Sequence, residues 1–297
     1  MTSPLTTTST DVDPRRWLAL VVIAVAQLMV VLDASIVNIA LPSAQDALNI
    51  TDANRQWIVT AYALAFGGLL LLGGRIADFM GRKKAFIIGL IGFGVASAIG
   101  GLAQNQGELF GARALQGAFA ALMAPAALSL ITVTFTEPKE RAKAFGVYGG
   151  ISGGGAALGL ILGGVLTEYA SWRWTLLVNT PIAVATAVAG YLLVRESRAE
   201  GKAHFDIPGV VTSTAGLVAL VYGFTKANES GWSATSTISL LVAAVVLLVA
   251  FVVIEMKTAQ PLLPPRGPFA PWPHLQPSAE THCADRRVRR LAGPPSL

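Results

Sequence analysis

Long apolar stretches, separated by short clusters of charged and glycine-rich residues, set the pattern of this sequence. Runs with no charge, or with one enclosed charge, fall at about 17–41, 57–74, 85–103, 109–135, 144–166, 174–194, 207–225 and 236–254. At about 1.5 Å per residue, each is long enough to cross the ~30 Å hydrocarbon core of a bilayer as a helix. The first run is not a signal peptide: sixteen residues precede it, its apolar stretch is too long, and seven more spans follow. Arg15 and Arg16 in front of it read as a cytoplasmic anchor rather than a twin-arginine export signal. The pattern predicts an all-α polytopic membrane protein of eight spans.

Composition sharpens this picture. Of 297 residues, 53% are hydrophobic and 13% charged, and the mean hydropathy is +0.59. Soluble domains carry roughly 25% charged residues, so an ordinary cytosolic enzyme is excluded. The single cysteine, Cys283, excludes a disulfide framework and any Cys-rich metal site. A formal charge of +5 does not point to nucleic acid, because the basic residues are divided among short loops.

Their distribution sets the orientation instead. Eighteen of the 22 Lys and Arg lie before the first span, in the even-numbered loops and after the last span; Arg55, Arg173 and Lys226 lie in the odd loops. Basic residues accumulate on the cytoplasmic side, so both termini are expected there, in the inner (plasma) membrane. Trp17, Trp57, Trp172, Trp174 and Trp232 all sit at span ends, the headgroup level that amphipathic rings prefer.

Soluble chemistry finds no foothold. The sequence has no Gly-x-x-x-x-Gly-Lys-Ser/Thr loop, no Gly-x-Gly-x-x-Gly and no His-Glu-x-x-His, so no enzyme activity and no cofactor are expected. His204, His274 and His282 lie in loop or tail and read as solvated side chains.

Three motifs, in order along the chain, carry more. The stretch from Gly73 to Lys84 includes Gly74, Asp78, Gly81, Arg82 and Lys83. Its glycines predict a tight turn between two helices, and its carboxylate among cations can exchange partners as helices shift. Cation accumulation alone explains the charges but not the spacing. This stretch resembles the signature loop between the second and third helices of the major facilitator superfamily. The run Leu32-Asp33-Ala34-Ser35-Ile36-Val37-Asn38-Ile39-Ala40-Leu41-Pro42 resembles the first-helix signature of its drug:proton antiporter branch with fourteen helices. Arg113-Ala114-Leu115-Gln116-Gly117 resembles the fourth-helix signature.

In the fifth span Gly146, Gly150 and Gly154 recur at four residues, as do Gly155, Gly159 and Gly163. Small residues at that spacing let helices approach closely in lipid. The segment ending at Gly164 is similar to the antiporter signature, with Leu160 where the family usually has proline; Phe79 likewise stands where a basic residue is usual. Further matches are Ser171-Trp172-Arg173-Trp174 with Asn179 and Pro181, then Phe205-Asp206-Ile207-Pro208-Gly209, Gly231-Trp232 and Pro261-Leu262-Leu263-Pro264.

Two ionisable residues lie inside spans, where a charge costs at least about 2.5–3.5 kcal/mol on insertion scales. Asp33 is expected about 12 Å, and Arg113 about 8 Å, from the outer ends of their spans. They form either a structural ion pair or a proton-coupling pair. At 100° per residue Gln27 and Asn38 share a face of the first span, with Asp33 about 140° away. The resemblance implies Asp33 as proton acceptor with Arg113 beside it, and Gly74, Asp78, Gly81, Arg82 and Lys83 as a conformational latch. It implies Gly155, Gly159, Gly163 and Gly164 as close helix contacts. Tyr62, Gln116 and Asn38 are candidate substrate contacts.

The expected organisation is a cytoplasmic tail (1–16), a six-helix transporter half (17–194), a cytoplasmic loop (195–206), an extra two-helix pair (207–254) and a Pro/Arg-rich cytoplasmic tail (255–297). Nine of the sixteen prolines lie in 261–297, a composition that packs no core; a shifted reading frame near Pro265 is the alternative origin. The resemblance implies two six-helix halves, and the second is expected where this tail stands, so it is read as missing. Two functions therefore remain open. One is a secondary transporter exporting small amphipathic drug-like molecules against protons, with the lipid bilayer and a second copy of itself as further partners. The other is a truncated membrane fragment that does not transport.

Overall fold

Charged clusters end the apolar runs, but they do not end the helices. A computed structural model describes residues 14–198 and 207–257. In chain order the elements are α1 (Arg16–Leu48), α2 (Asp52–Arg55), α3 (Trp57–Met80), α4 (Arg82–Gly101) and α5 (Gln106–Thr134). There follow α6 (Pro138–Tyr169), α7 (Trp174–Leu177), α8 (Asn179–Leu193), α9 (Ile207–Ser230) and α10 (Thr235–Lys257). Among the described residues, eight units are long and apolar enough to cross a membrane, with the short α2 and α7 leading into the second and the sixth. The secondary structure of the described residues is helical throughout. The expected residues 261–297, Phe205 with Asp206, and the three histidines lie outside the described residues.

Most helices overrun the predicted spans, because backbone hydrogen bonding continues past the apolar run while long cationic side chains reach toward water. The largest excess at a single end is that of α1, which passes through Pro42 and stops at Leu48, where Asn49 adopts a left-handed cap with φ 51°. The estimated depth of Asp33 therefore measured its distance from an apolar boundary, not from the helix end. The stretch 73–84 has the tight turn between two helices that its glycines predict. It is helix on both sides, and the turn is confined to Gly81 at φ 106°.

Glycine and alanine decide which helices touch most closely. A Cβ on Gly117 would come within 2.3 Å of the Tyr62 carbonyl oxygen, so α3 and α5 meet backbone to backbone. Helices α1 and α6 run parallel: Arg16 pairs with Glu140, Gln27 with Ser152, Ser35 meets Gly159, and Ile36 meets Gly163. Gly155, Gly159 and Gly163 are buried against α1. Gly164 is not part of that contact; like Gly146, Gly150 and Gly154, it has open space beside it. The α9–α10 hairpin docks on α3, where Val218 lies against Gly68 and Trp57 packs on Tyr222 at 5.7 Å. Apolar rows such as Ile91, Val95 and Ile99 of α4 point outward, as a lipid-facing helix requires.

Candidate functional site

Two places in this bundle gather polar groups that the apolar surroundings do not explain. The first is a fully enclosed cluster around Asp33. Arg113 Nη1 donates to Asp33 Oδ2 at 2.6 Å and to Gln116 Oε1 at 2.8 Å, while its Nε donates to the Ile58 carbonyl at 2.9 Å. Gln116 Nε2 donates to Asp33 Oδ1 at 3.0 Å and to Ser97 Oγ at 2.6 Å, and Asn179 Nδ2 reaches the same Oδ1 at 2.9 Å. The Arg113 guanidinium carbon stands 4.6 Å from the ring centre of Tyr62. Asp33 is 0% and Arg113 1% exposed. The carboxylate thus accepts three hydrogen bonds, one of them from a guanidinium, which is what a buried charge needs.

Helices α1, α3, α4, α5 and α8 each contribute one or more of these groups. Gln116 follows Arg113 by three residues, so both side chains emerge on one face of α5. Asn179 opens α8 directly after the short α7. Sequence reasoning marked Asn179 only as part of a motif; its position as a lone amide at the start of an apolar span was the available signal. Ser97 gave no signal at all.

The second place is a half-open cavity of about 530 Å³ between α1, α3, α5 and α6. Val30, Phe66, Leu70, Leu71, Pro125 and Leu128 give it an apolar wall, Gln27 and Tyr148 a polar side, and Arg75 and Asp78 charge. Its size and its few convergent polar groups suit a small organic ligand. None of the candidate substrate contacts lines it. Tyr62 and Gln116 are buried in the Asp33 cluster, and Asn38 is exposed, its amide donating to the Ala34 carbonyl of its own helix. The angular offset along α1 explains the division: Asp33 faces α5 and α8, while Gln27 faces α6 and the cavity.

Cavity and cluster are in contact. Phe66, on the cavity wall, stacks on Tyr62 at 5.9 Å with 5° between the rings, and Tyr62 carries Arg113 on its face.

The expected latch residues assemble beside the cavity. Asp78 pairs with Arg82 at 3.4 Å, one helical turn on and across the Gly81 turn. The Lys83 and Ser197 backbone amides donate to Glu196 Oε1 at 3.1 and 3.0 Å, and the Arg82 amide donates to the Ser197 carbonyl at 2.9 Å. Lys83 Nζ donates to the Tyr191 carbonyl at 2.7 Å. The turn is therefore held by the last turn of α8 and the residues that follow it. Glu196 was not singled out from the sequence, since a carboxylate in a basic loop looks like an ordinary solvated charge.

Comparison with known proteins gives the same kind of molecule. The major facilitator superfamily model matches residues 23–279. The puromycin resistance protein Pur8 of Streptomyces alboniger is 57% identical over 253 residues, covering 85% of this chain and 50% of that protein. The cephamycin export protein CmcT of Amycolatopsis lactamdurans is 42% identical over 251 residues, covering 84% of this chain and 52% of that protein. The chain spans about half the length of the curated relatives it matches. In fold it is similar to the inward-facing, occupied crystal structure of a bacterial homologue of the human lysosomal transporter Spinster. The TM-score there is 0.55 at 18% identity, over 84% of this chain and 64% of that one.

Proposed function

The chain belongs to the major facilitator superfamily, and from that premise we propose that it serves proton-coupled export of small amphipathic molecules. The observation that carries this reading is the buried Asp33–Arg113 pair joined, through Tyr62 and Phe66, to an apolar cavity.

A buried ion pair is a poor source of net stability, but it is a good two-state element. With Arg113 in place, Asp33 is fully compensated. Drawing the guanidinium away leaves a carboxylate among buried groups, a costly state that uptake of one proton at Asp33 relieves. Substrate pressing on Phe66 bears on the Tyr62 ring, and so on the face where Arg113 rests. One charge moved across 100 mV supplies about 2.3 kcal/mol, enough for a concentration ratio near fifty.

Alternating access rocks two helical halves about a site near the midplane. We assign 17–194 to one such half and 207–254 to an added pair, with both ends of the chain in the cytoplasm. The Gly74–Lys83 stretch, held by Glu196, is the latch in this scheme, and Gly155, Gly159 and Gly163 fix α6 to α1. Self-association is read by light scattering of the detergent-solubilised chain: a dimer mass supports a second copy as partner, a monomer mass removes it.

The test uses proteoliposomes that hold the chain completed by the second half of the puromycin resistance relative, loaded with radiolabelled puromycin under an imposed proton gradient. Gradient-driven efflux that is lost in Asp33→Asn, with the amount of inserted protein unchanged, is the expected result. Full efflux by that variant, or none by the completed parent, overturns the proposal.

A further inference from the structure

Gln27 has both ends of its amide engaged on the cavity wall. The Tyr148 hydroxyl donates to Gln27 Oε1 at 2.6 Å, and Gln27 Nε2 donates to Ser152 Oγ at 3.0 Å. Ser152 in turn donates to the Tyr148 carbonyl at 3.3 Å. The orientation of the amide is thus set from both sides. Hydrogen-bonding capacity nevertheless remains: the second Nε2 hydrogen of Gln27 and the lone pairs of the Tyr148 hydroxyl. Both residues are half-buried and line the cavity.

Holding α1 to α6 does not account for this group. Those helices are already in backbone-level contact one to three turns further along, at Gly155, Gly159 and Gly163. Apart from it, the polar lining consists of Arg75 and Asp78, and Asp78 is committed to Arg82. The apolar lining includes Phe66, Leu70 and Pro125, surfaces suited to a flat ring system. One oriented donor beside one oriented acceptor complements a group that itself both donates and accepts.

We propose that Gln27 and Tyr148 are the polar recognition element of the cavity, selecting ring-bearing molecules that carry a hydroxyl or carboxamide. This rests on the reading of the cavity as the substrate site, and names the class of substrate it takes. Ser152 is a positioning residue that holds the Gln27 amide in plane.

Binding of two matched probes to the purified chain decides it. 1-Pyrenemethanol carries the hydroxyl and 1-methylpyrene lacks it; saturable binding of each is followed by fluorescence anisotropy without any proton gradient. The parent chain is expected to prefer the alcohol by about fivefold, the range of one net hydrogen bond. Tyr148→Phe and Gln27→Leu should bring that preference close to unity while 1-methylpyrene still binds, which shows that the cavity has survived. Should Gln27→Leu fail to elute as a folded species, the isosteric Tyr148→Phe carries the test alone. An unchanged preference in the folded variants, or no saturable binding of either probe by the parent chain, overturns the proposal. Because no proton gradient enters the measurement, efflux that survives Asp33→Asn would sink the coupling scheme and leave this inference standing.

Discussion

Asp33 is the residue on which most of the bundle converges, and its surroundings separate two kinds of substitution. Arg113→Ala leaves a buried carboxylate without its cation, a change that costs about 3–5 kcal/mol. Asp33→Asn leaves the buried guanidinium without its anion, with the Ile58 carbonyl, the Gln116 oxygen and the Tyr62 face still beside it, so it too breaks the pair. Thermal unfolding in detergent should therefore place both variants well below the parent; an unchanged melt for either would count against the pair as drawn. Gly81 makes a second residue-scale case. Its φ of 106° is one that L side chains rarely adopt, and a Cβ there would lie 2.7 Å from a Glu196 carboxylate oxygen. Gly81→Ala is expected to cost about 1–3 kcal/mol from backbone strain. Adding Glu196→Ala relieves the contact but not the strain, so the double variant should remain below the Glu196→Ala single variant in the same melt.

Among the elements, α6 offers an internal control. It is 32 residues long, and only one of its glycine stripes is occupied. A side chain at Gly159 would meet Ser35 at 2.6 Å, whereas at Gly164 there is open space. Gly159→Leu should push α1 and α6 apart at a cost of about 1–3 kcal/mol, as overpacking does. Gly164→Leu should change stability by no more than about 0.5 kcal/mol. Comparable melting temperatures for the two variants would mean that the helices do not meet where the structure places them.

At the scale of the whole molecule, topology is the property most open to direct measurement. Reporter fusions after Arg198 and after Ser230 bracket α9, which crosses once. The first should score cytoplasmic and the second external; the reverse would invert the orientation and place the Gly81 turn outside. The α9–α10 hairpin gives a second check. It rests on α3 through Gly68, on the helix that also carries Phe66 and Tyr62 toward cavity and cluster. Gly68→Val should loosen the hairpin, read as faster proteolysis within α9 and α10, with α1 to α8 still protected.

Charge-free runs determined the number of spans, and loop cations their expected orientation, because a bilayer imposes its cost one residue at a time and along the chain. The same cost made Asp33 and Arg113 visible as candidates. Their contact at 2.6 Å, the third ligand from Asn179 and the support of Ser97 came only with tertiary structure, since no local rule relates positions 80 or 146 residues apart. The cavity was not legible either. Gln27, Phe66 and Tyr148 are ordinary members of apolar helices until α1, α3 and α6 are set side by side. The glycines of 73–84 announced a tight turn between two helices, but not which glycine makes it, nor that a carboxylate just beyond α8 holds it. Hydropathy reports which residues leave water; which of them then meet is fixed by the rotation of each helix about its own axis, and that rotation is decided by packing.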